Sequence, residues 1–315
     1  MHFSLDEPLK GLTAISGIWD SHFHVWDAEE YLKAENWLHL YGITKITGLA
    51  TPEIKKELEK ADKGDTIAFA YYLPPNNFGD HATDELITHV EKAHSLGYPM
   101  VKMWFGPRFL DFTKSDKPFR IDHPSFEPVF SLIEDYKLSL DIHIADPDIS
   151  YEKVYLDKER YRTKEQAITE FKAVLERHPS MKTVGVHLGC LPEHLEELAA
   201  MLDKFPNYYV DTASTRWMVR ELGKNTVKTR EFFNKYQDRI LFATDLSVGW
   251  QERPDEYFAT RLWSQRLFWE TTVRGVDLPF KDEDNRDGQT RINGLELPRS
   301  ILDKLYWKNA EKFFS

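Results

Sequence analysis

Eight short runs rich in β-branched and aromatic residues, each followed by a longer segment, constrain this chain more than any other feature. They cover residues 17–26, 43–49, 66–73, 99–104, 138–144, 183–188, 208–211 and 240–245. Several of the intervening segments have a readable helical period. Strands that alternate with helices build a parallel sheet covered by helices, because a parallel crossover is usually made by a helix. Eight strand–helix units are the count of an α/β (β/α)8 TIM barrel. A doubly wound open sheet is the rival. That fold places a Gly-rich phosphate turn after its first strand, and here Asp20-Ser21-His22-Phe23-His24 stands there instead. No stretch rich in Pro, Gly or Ser divides the chain and no short repeat appears, so one domain over residues 1–315 is expected.

The helix candidates carry legible ends. Thr163-Lys164-Glu165-Gln166 has capping-box spacing, with Ile168, Phe171 and Leu175 striping the helix and Pro179 stopping it. Pro192 suits a first helical turn ahead of Leu195, Leu198, Ala199 and Leu202. Leu86, Val90 and Ala93 stripe another helix, which Gly97 can end in a left-handed conformation. Two connections are long. One runs over residues 105–123; the other follows Asp245 and carries Trp250, Tyr257, Phe258, Trp263, Phe268 and Trp269. Loops at the carboxyl ends of barrel strands usually shape the pocket.

A net charge of −11 argues against sequence-independent nucleic-acid binding, which rests on clustered Lys and Arg. Cys190 is the only cysteine, so no intrachain disulfide can form. The opening MHFSLDEPLKGLTAISG lacks a basic segment followed by a long apolar one, and no run approaches the ~18 apolar residues of a bilayer span. The expectation is a cytoplasmic protein acting on a small molecule, with neither nucleic acid nor membrane as partner and self-association left open.

Side chains alternate along a strand, so His22 and His24 share one face and can close on one metal ion. Lys102 in VKMW, His143 in LDIHIAD, His187 in VGVHLG and Asp245 in ILFATD fall at or near the ends of later strand-like runs. A barrel keeps its active site at those carboxyl ends. Any single histidine is more often a structural residue. Four in this register, with an acid closing the last run, point to a metal enzyme.

The segments IWDSHFHVW, DIHIAD, VGVHLG, RILFATDL and the closing LYWKNAEKFF resemble the amidohydrolase superfamily. They are most similar to the amidohydrolase-related branch that includes aminocarboxymuconate-semialdehyde decarboxylase, and the resemblance runs from Gly17 to Phe314. It implies that His22, His24, His143 and Asp245 bind one divalent ion, zinc first and manganese second, with Asp245 and His187 catalytic. Such a donor set leaves a position for water whose pKa can fall to about 7. Asp20 is expected to orient a ligand histidine or cap the strand end. The closing WKNAEKFF matches a family helix without catalytic role.

Lys102 has three readings: a point charge for the anionic end of a substrate, a carbamate bridging two metals, or an ion pair with an acid such as Asp141. Arg216, after the seventh run, could grip a carboxylate through its planar fork. Asp146 and Arg108 are weaker cases of the same kind. Cys190 reads as a small buried hydrophobe. The run over residues 281–287 reads as a solvated loop, with a calcium site as the second reading. The leading functional expectation is a metal-dependent hydrolase cutting a C–O or C–N bond of a small carboxylated molecule. A non-oxidative decarboxylase or hydratase on the same centre is the alternative, and an inactive barrel serving in binding or assembly is the third.

Overall fold

A computed structural model describes residues 1–15, 17–73, 82–112, 120–285 and 288–315 of the protein. Among the described residues the strands include, in chain order, β1 (Ile18–Val25), β2 (Ile43–Ala50), β3 (Ile67–Leu73), β4 (Met100–Trp104), β5 (Ser139–His143), β6 (Thr183–Gly185), β7 (Tyr208–Asp211), β8 (Ile240–Leu241) and β9 (Leu246–Val248). The chain divides into two compact units. One holds residues 1–68 and 211–315, the other residues 69–210. Their boundaries fall inside β3 and β7.

In the first unit β1 pairs in parallel with β2 on one side and β9 on the other. The expected eighth run is split in two, and the break has a physical cause. Asp245, between β8 and β9, has φ +60°, which turns the backbone out of the extended conformation. Helix Asp255–Glu270 supports that break from behind. Its Gln265 Nε2 donates to the carbonyls of Ala243 at 2.9 Å and Thr212 at 3.3 Å. Trp263, Phe268 and Trp269 of the same helix are fully buried, so these aromatics of the long connection build core. Trp250, by contrast, is exposed. The closing helix Asn309–Phe314 also acts structurally, since Asn309 Nδ2 donates to the Ile240 carbonyl at 2.7 Å and so anchors β8.

In the second unit β3, β4, β5, β6 and β7 pair in parallel in sequence order. The capping box forms: Thr163 Oγ1 accepts the Gln166 amide and Gln166 Oε1 accepts the Thr163 amide, opening helix Lys164–Arg177. Leu86, Val90 and Ala93 are buried on helix Ala82–Ser95, and Gly97 follows it at φ +70°. Pro192 departs from expectation. It lies in a turn closed by the His194 amide on the Leu191 carbonyl, and the helix starts at Leu195. Strand β6 is also shorter than its apolar run, because His187, Leu188, Gly189 and Cys190 are all left-handed, at φ +57°, +52°, +62° and +61°. Among the described residues no helix is long and apolar enough to cross a membrane.

Candidate metal centre

In the first unit, β1 does what its alternation predicts. His22 Nε2 and His24 Nε2 lie 3.3 Å apart, and Asp245 Oδ1 is 3.5 Å from the first and 3.4 Å from the second. Three atoms at these separations lie on a circle of radius about 2.0 Å (mean edge over √3), and zinc bonds imidazole nitrogen and carboxylate oxygen at about 2.0–2.2 Å. The donors present therefore fit a divalent ion. Two imidazole nitrogens and a carboxylate oxygen aimed at one point are the chemistry such an ion takes.

The surrounding backbone aims these groups. Asp245 is left-handed, a conformation Asp tolerates better than most residues, and its amide donates to the His22 carbonyl at 3.0 Å. Asp20 ties the same two segments together. Its Oδ1 accepts the amides of His22 and Thr244, and its Oδ2 accepts the Thr244 hydroxyl at 2.5 Å. Burial pushes the Asp20 carboxyl up to about 7, against the hydrogen bonds from Thr244 and His22, with Asp211 adding to the rise. Asp20 thus holds the backbone of His22 and Thr244 together. Asp211, which the sequence did not single out, lies 3.2 Å from His22 Nδ1 through Oδ2. Trp26 stacks on the His24 ring at 5.6 Å and 19°. Arg216, on helix Thr215–Leu222, points at acids, with Nε 3.3 Å from Asp284. Within the expected solvated loop, Asp282 is buried and bound by Arg220 Nη1 at 2.7 Å. Arg286 and Asp287 of that loop lie outside the described residues.

The second unit assembles another set. Lys102 on β4 faces Asp141 on β5 in register, with Nζ 3.6 Å from Oδ2 and both side chains buried. That geometry matches the ion-pair reading of Lys102. His143 closes β5, its Nε2 3.0 Å from Asp146 Oδ1 and its Nδ1 3.1 Å from His187 Nε2. The Tyr155 hydroxyl donates to Asp146 Oδ2 at 2.5 Å. Burial alone would raise the Asp146 carboxyl. The hydrogen bond and charge of His143, with the Tyr155 bond, outweigh it and hold that carboxyl below its usual range.

His187 is presented by the left-handed turn after β6. Left-handed residues cost roughly 1–2 kcal/mol each outside glycine, so such a turn persists only where its surroundings enforce it. Tyr208 of β7 enforces it here. A Cβ on Gly185 would lie 2.1 Å from the Tyr208 hydroxyl and one on Gly189 2.2 Å, so the phenol occupies a slot only glycines leave. Cys190, in the same turn, is fully buried, and burial pushes its thiol up to about 12. Arg108 is exposed and paired with Asp111 at 2.9 Å.

Over residues 57–315 the chain matches the amidohydrolase family, a stretch that runs through both units. No protein of curated function matches it in sequence. Among solved structures, 2,6-dihydroxybenzoate decarboxylase from Rhizobium is similar at 15% identity and TM-score 0.56, covering 95% of this chain and 98% of that one. A dihydroxybenzoic acid decarboxylase from Polaromonas, solved with manganese and 2-nitroresorcinol, is similar at 14% identity and TM-score 0.55, covering 95% and 97%. The 5-carboxyvanillate decarboxylase of Novosphingobium aromaticivorans, solved with manganese and 4-hydroxy-3-methoxy-5-nitrobenzoic acid, gives 13% identity and TM-score 0.52 over 99% and 98%. At such identities the likeness shows the fold, which is an α/β fold of the TIM-barrel kind.

Proposed function

The chain belongs to the amidohydrolase family, and from that premise we propose that it is a metal-dependent non-oxidative decarboxylase of a small carboxylated aromatic molecule. The observation that carries the metal is the His22–His24–Asp245 triangle, whose edges of 3.3–3.5 Å suit one divalent ion. The similarity to decarboxylases solved with manganese supports the choice of reaction and makes manganese a cofactor candidate beside zinc.

His22, His24 and Asp245 would hold a divalent ion, which would supply Lewis-acid stabilisation of the negative charge that develops during the reaction. The rest falls to side chains. In decarboxylation the bond from ring carbon to carboxylate breaks, CO2 leaves, and the ring carbon takes a proton in its place. Asp245 is the partly exposed carboxylate of the centre and can hold a proton at Oδ2 while Oδ1 faces the histidines. Trp26, stacked on His24, offers a flat apolar surface for an aromatic ring. His187 is retained from the sequence as an acid or base; His143, whose Nε2 faces Asp146 and whose Nδ1 faces His187, orders His187 and is not retained as a ligand. Asp211 and Asp20 hold the donors in place.

The family itself favours a second reading, hydrolysis of a C–O or C–N bond by water activated on the same donors. One experiment separates the two. Protein reconstituted with manganese or zinc is given hydroxybenzoates and hydroxylated benzene dicarboxylates while CO2 is followed, and small lactones and amides while proton release is followed. CO2 release that requires the added ion supports the proposal; turnover of lactones or amides alone replaces it with hydrolysis.

A further inference from the structure

Arg253 and Arg261 differ from Arg216, Arg220 and Arg266 of the first unit. Arg220 binds Asp282 and Glu221 at 2.7 Å each, Arg266 binds Glu270 at 2.7 Å, and Arg216 lies 3.3 Å from Asp284. Among the described residues no carboxylate forms an ion pair with Arg253 or Arg261; an aromatic ring holds them instead. Both guanidinium carbons lie 4.2 Å from the centre of the Tyr257 ring, and that of Arg261 lies 4.2 Å from the Phe280 ring as well. Arg253 Nε is buried and has no hydrogen-bond acceptor among the described residues. Arg261 Nη1 donates only to the Tyr257 carbonyl, at 3.2 Å.

An aromatic face fixes a guanidinium without neutralising it, whereas buried charges are ordinarily matched by opposite ones. In a chain of net charge −11, with acids in excess, two half-buried arginines that pair with no acid among the described residues are conspicuous. Burial, with Arg253 and Arg216 nearby and Tyr257 partly offsetting, holds Arg261 down to about 10. The pair also stands beside the candidate metal centre. Tyr257 Oη accepts the amide of Ser247, two residues past Asp245, and the Asp245 charge acts on the Tyr257 phenol.

We propose that Arg253 and Arg261, held against Tyr257, form a subsite for a carboxylate of the substrate. The other cations considered for this task already have counter-charges: Lys102 has Asp141, and Arg216 has Asp284 and Glu283. A guanidinium fork donates two parallel bonds to a carboxylate, and a second guanidinium adds to the attraction. Two guanidinium groups that pair with no carboxylate among the described residues, beside a centre proposed to take an anionic oxygen, call for a ligand with more than one acidic group. The substrate class is therefore an aromatic diacid, or a hydroxy acid with a further carboxylate, that keeps one carboxylate on the arginines. This inference rests on the metal-centre reading above.

Isothermal titration with benzene-1,3-dicarboxylate tests it, using metal-loaded and metal-stripped protein. Arg253→Gln and Arg261→Gln should each weaken binding by about tenfold or more, the scale of a charged hydrogen bond, and Arg261→Lys should recover part of the loss. Metal content and the melting curve should not change. Should Arg261→Gln fail to fold, Arg253→Gln, outside the helix, carries the test. No binding of the probe by wild-type protein, or folded variants that bind like wild type, would overturn the subsite. The two proposals fail separately. Arginine-dependent binding without CO2 release keeps the subsite and removes the decarboxylase. CO2 release from a dicarboxylate with KM unchanged in the variants keeps the decarboxylase and removes the subsite.

Discussion

Asp211 Oδ2 lies 3.2 Å from His22 Nδ1, and both side chains are 1% exposed. The charge of a carboxylate there favours the imidazole proton on Nδ1, which leaves Nε2 as the nitrogen that faces His24 and Asp245. Such outer partners typically set 10–100-fold in metal affinity, so Asp211→Asn is expected to weaken divalent-ion binding by roughly that factor. Competition against a chromophoric chelator measures it. An unchanged dissociation constant would mean that Asp211 only fills space.

The triangle itself predicts linkage between metal and stability. An ion that binds the folded chain and not the unfolded one adds about 2.7 kcal/mol at 100 times its dissociation constant. Protein stripped with a chelator should melt lower than protein reloaded with manganese or zinc. His24→Ala should erase the difference, because it removes one of three donors. Equal melting of stripped and reloaded wild type would dismiss the centre.

The meeting of His22, His24 and Asp245 was legible in the sequence because strand alternation put the two histidines on one face, an acid closed the last run, and the resemblance to a known family grouped these residues with His143. What those signals missed has backbone origins. Neither the left-handed Asp245, which splits the last run into β8 and β9, nor the left-handed turn at His187 leaves a periodic signal in the sequence. Asp211 was missed for another reason. An acid at the end of a four-residue strand is common, and its meaning depends on which histidine β7 presents it to. Pro192 misled because proline favours turns as readily as a first helical turn. The capping box at Thr163 succeeded because it is wholly local, with both bonds closing inside four residues.

The turn that carries His187 gives a prediction from packing alone. Gly189→Ala would put a Cβ 2.2 Å from the Tyr208 hydroxyl at φ +62°. Overpacking of this kind costs about 1–3 kcal/mol, and the left-handed backbone adds roughly 1 more. Removing the hydroxyl by Tyr208→Phe leaves the ring carbon at 3.4 Å as the next Tyr208 contact. The double variant should therefore recover most of the loss. Denaturant unfolding of the four proteins reads the coupling, and strict additivity would refute the slot.

Cys190 should be inert in the native protein. Its thiol is fully buried and pushed up to about 12, so the reactive thiolate is scarce near neutral pH. Iodoacetamide at pH 8 should leave the native chain unmodified and alkylate one site per chain in guanidinium chloride. Rapid native labelling would show that the turn after β6 opens.

His187 separates ligand from acid–base residue. Its Nε2 lies 3.1 Å from His143 Nδ1, and His143 Nε2 lies 3.0 Å from the Asp146 carboxyl. Asp146 is held below its usual carboxylate range, so near neutral pH it is ionised and draws the His143 proton to Nε2. His143 Nδ1 is then an acceptor, and His187 Nε2 donates to it. A histidine ordered this way suits proton transfer, which is typically worth about 10²–10⁴ in rate. His187→Ala is accordingly expected to keep the ion and lose activity on that scale, read by metal analysis beside CO2 release. Loss of the ion in a folded His187→Ala protein would make His187 a ligand instead. Full activity with the ion retained would leave His187 only the role of supporting His143.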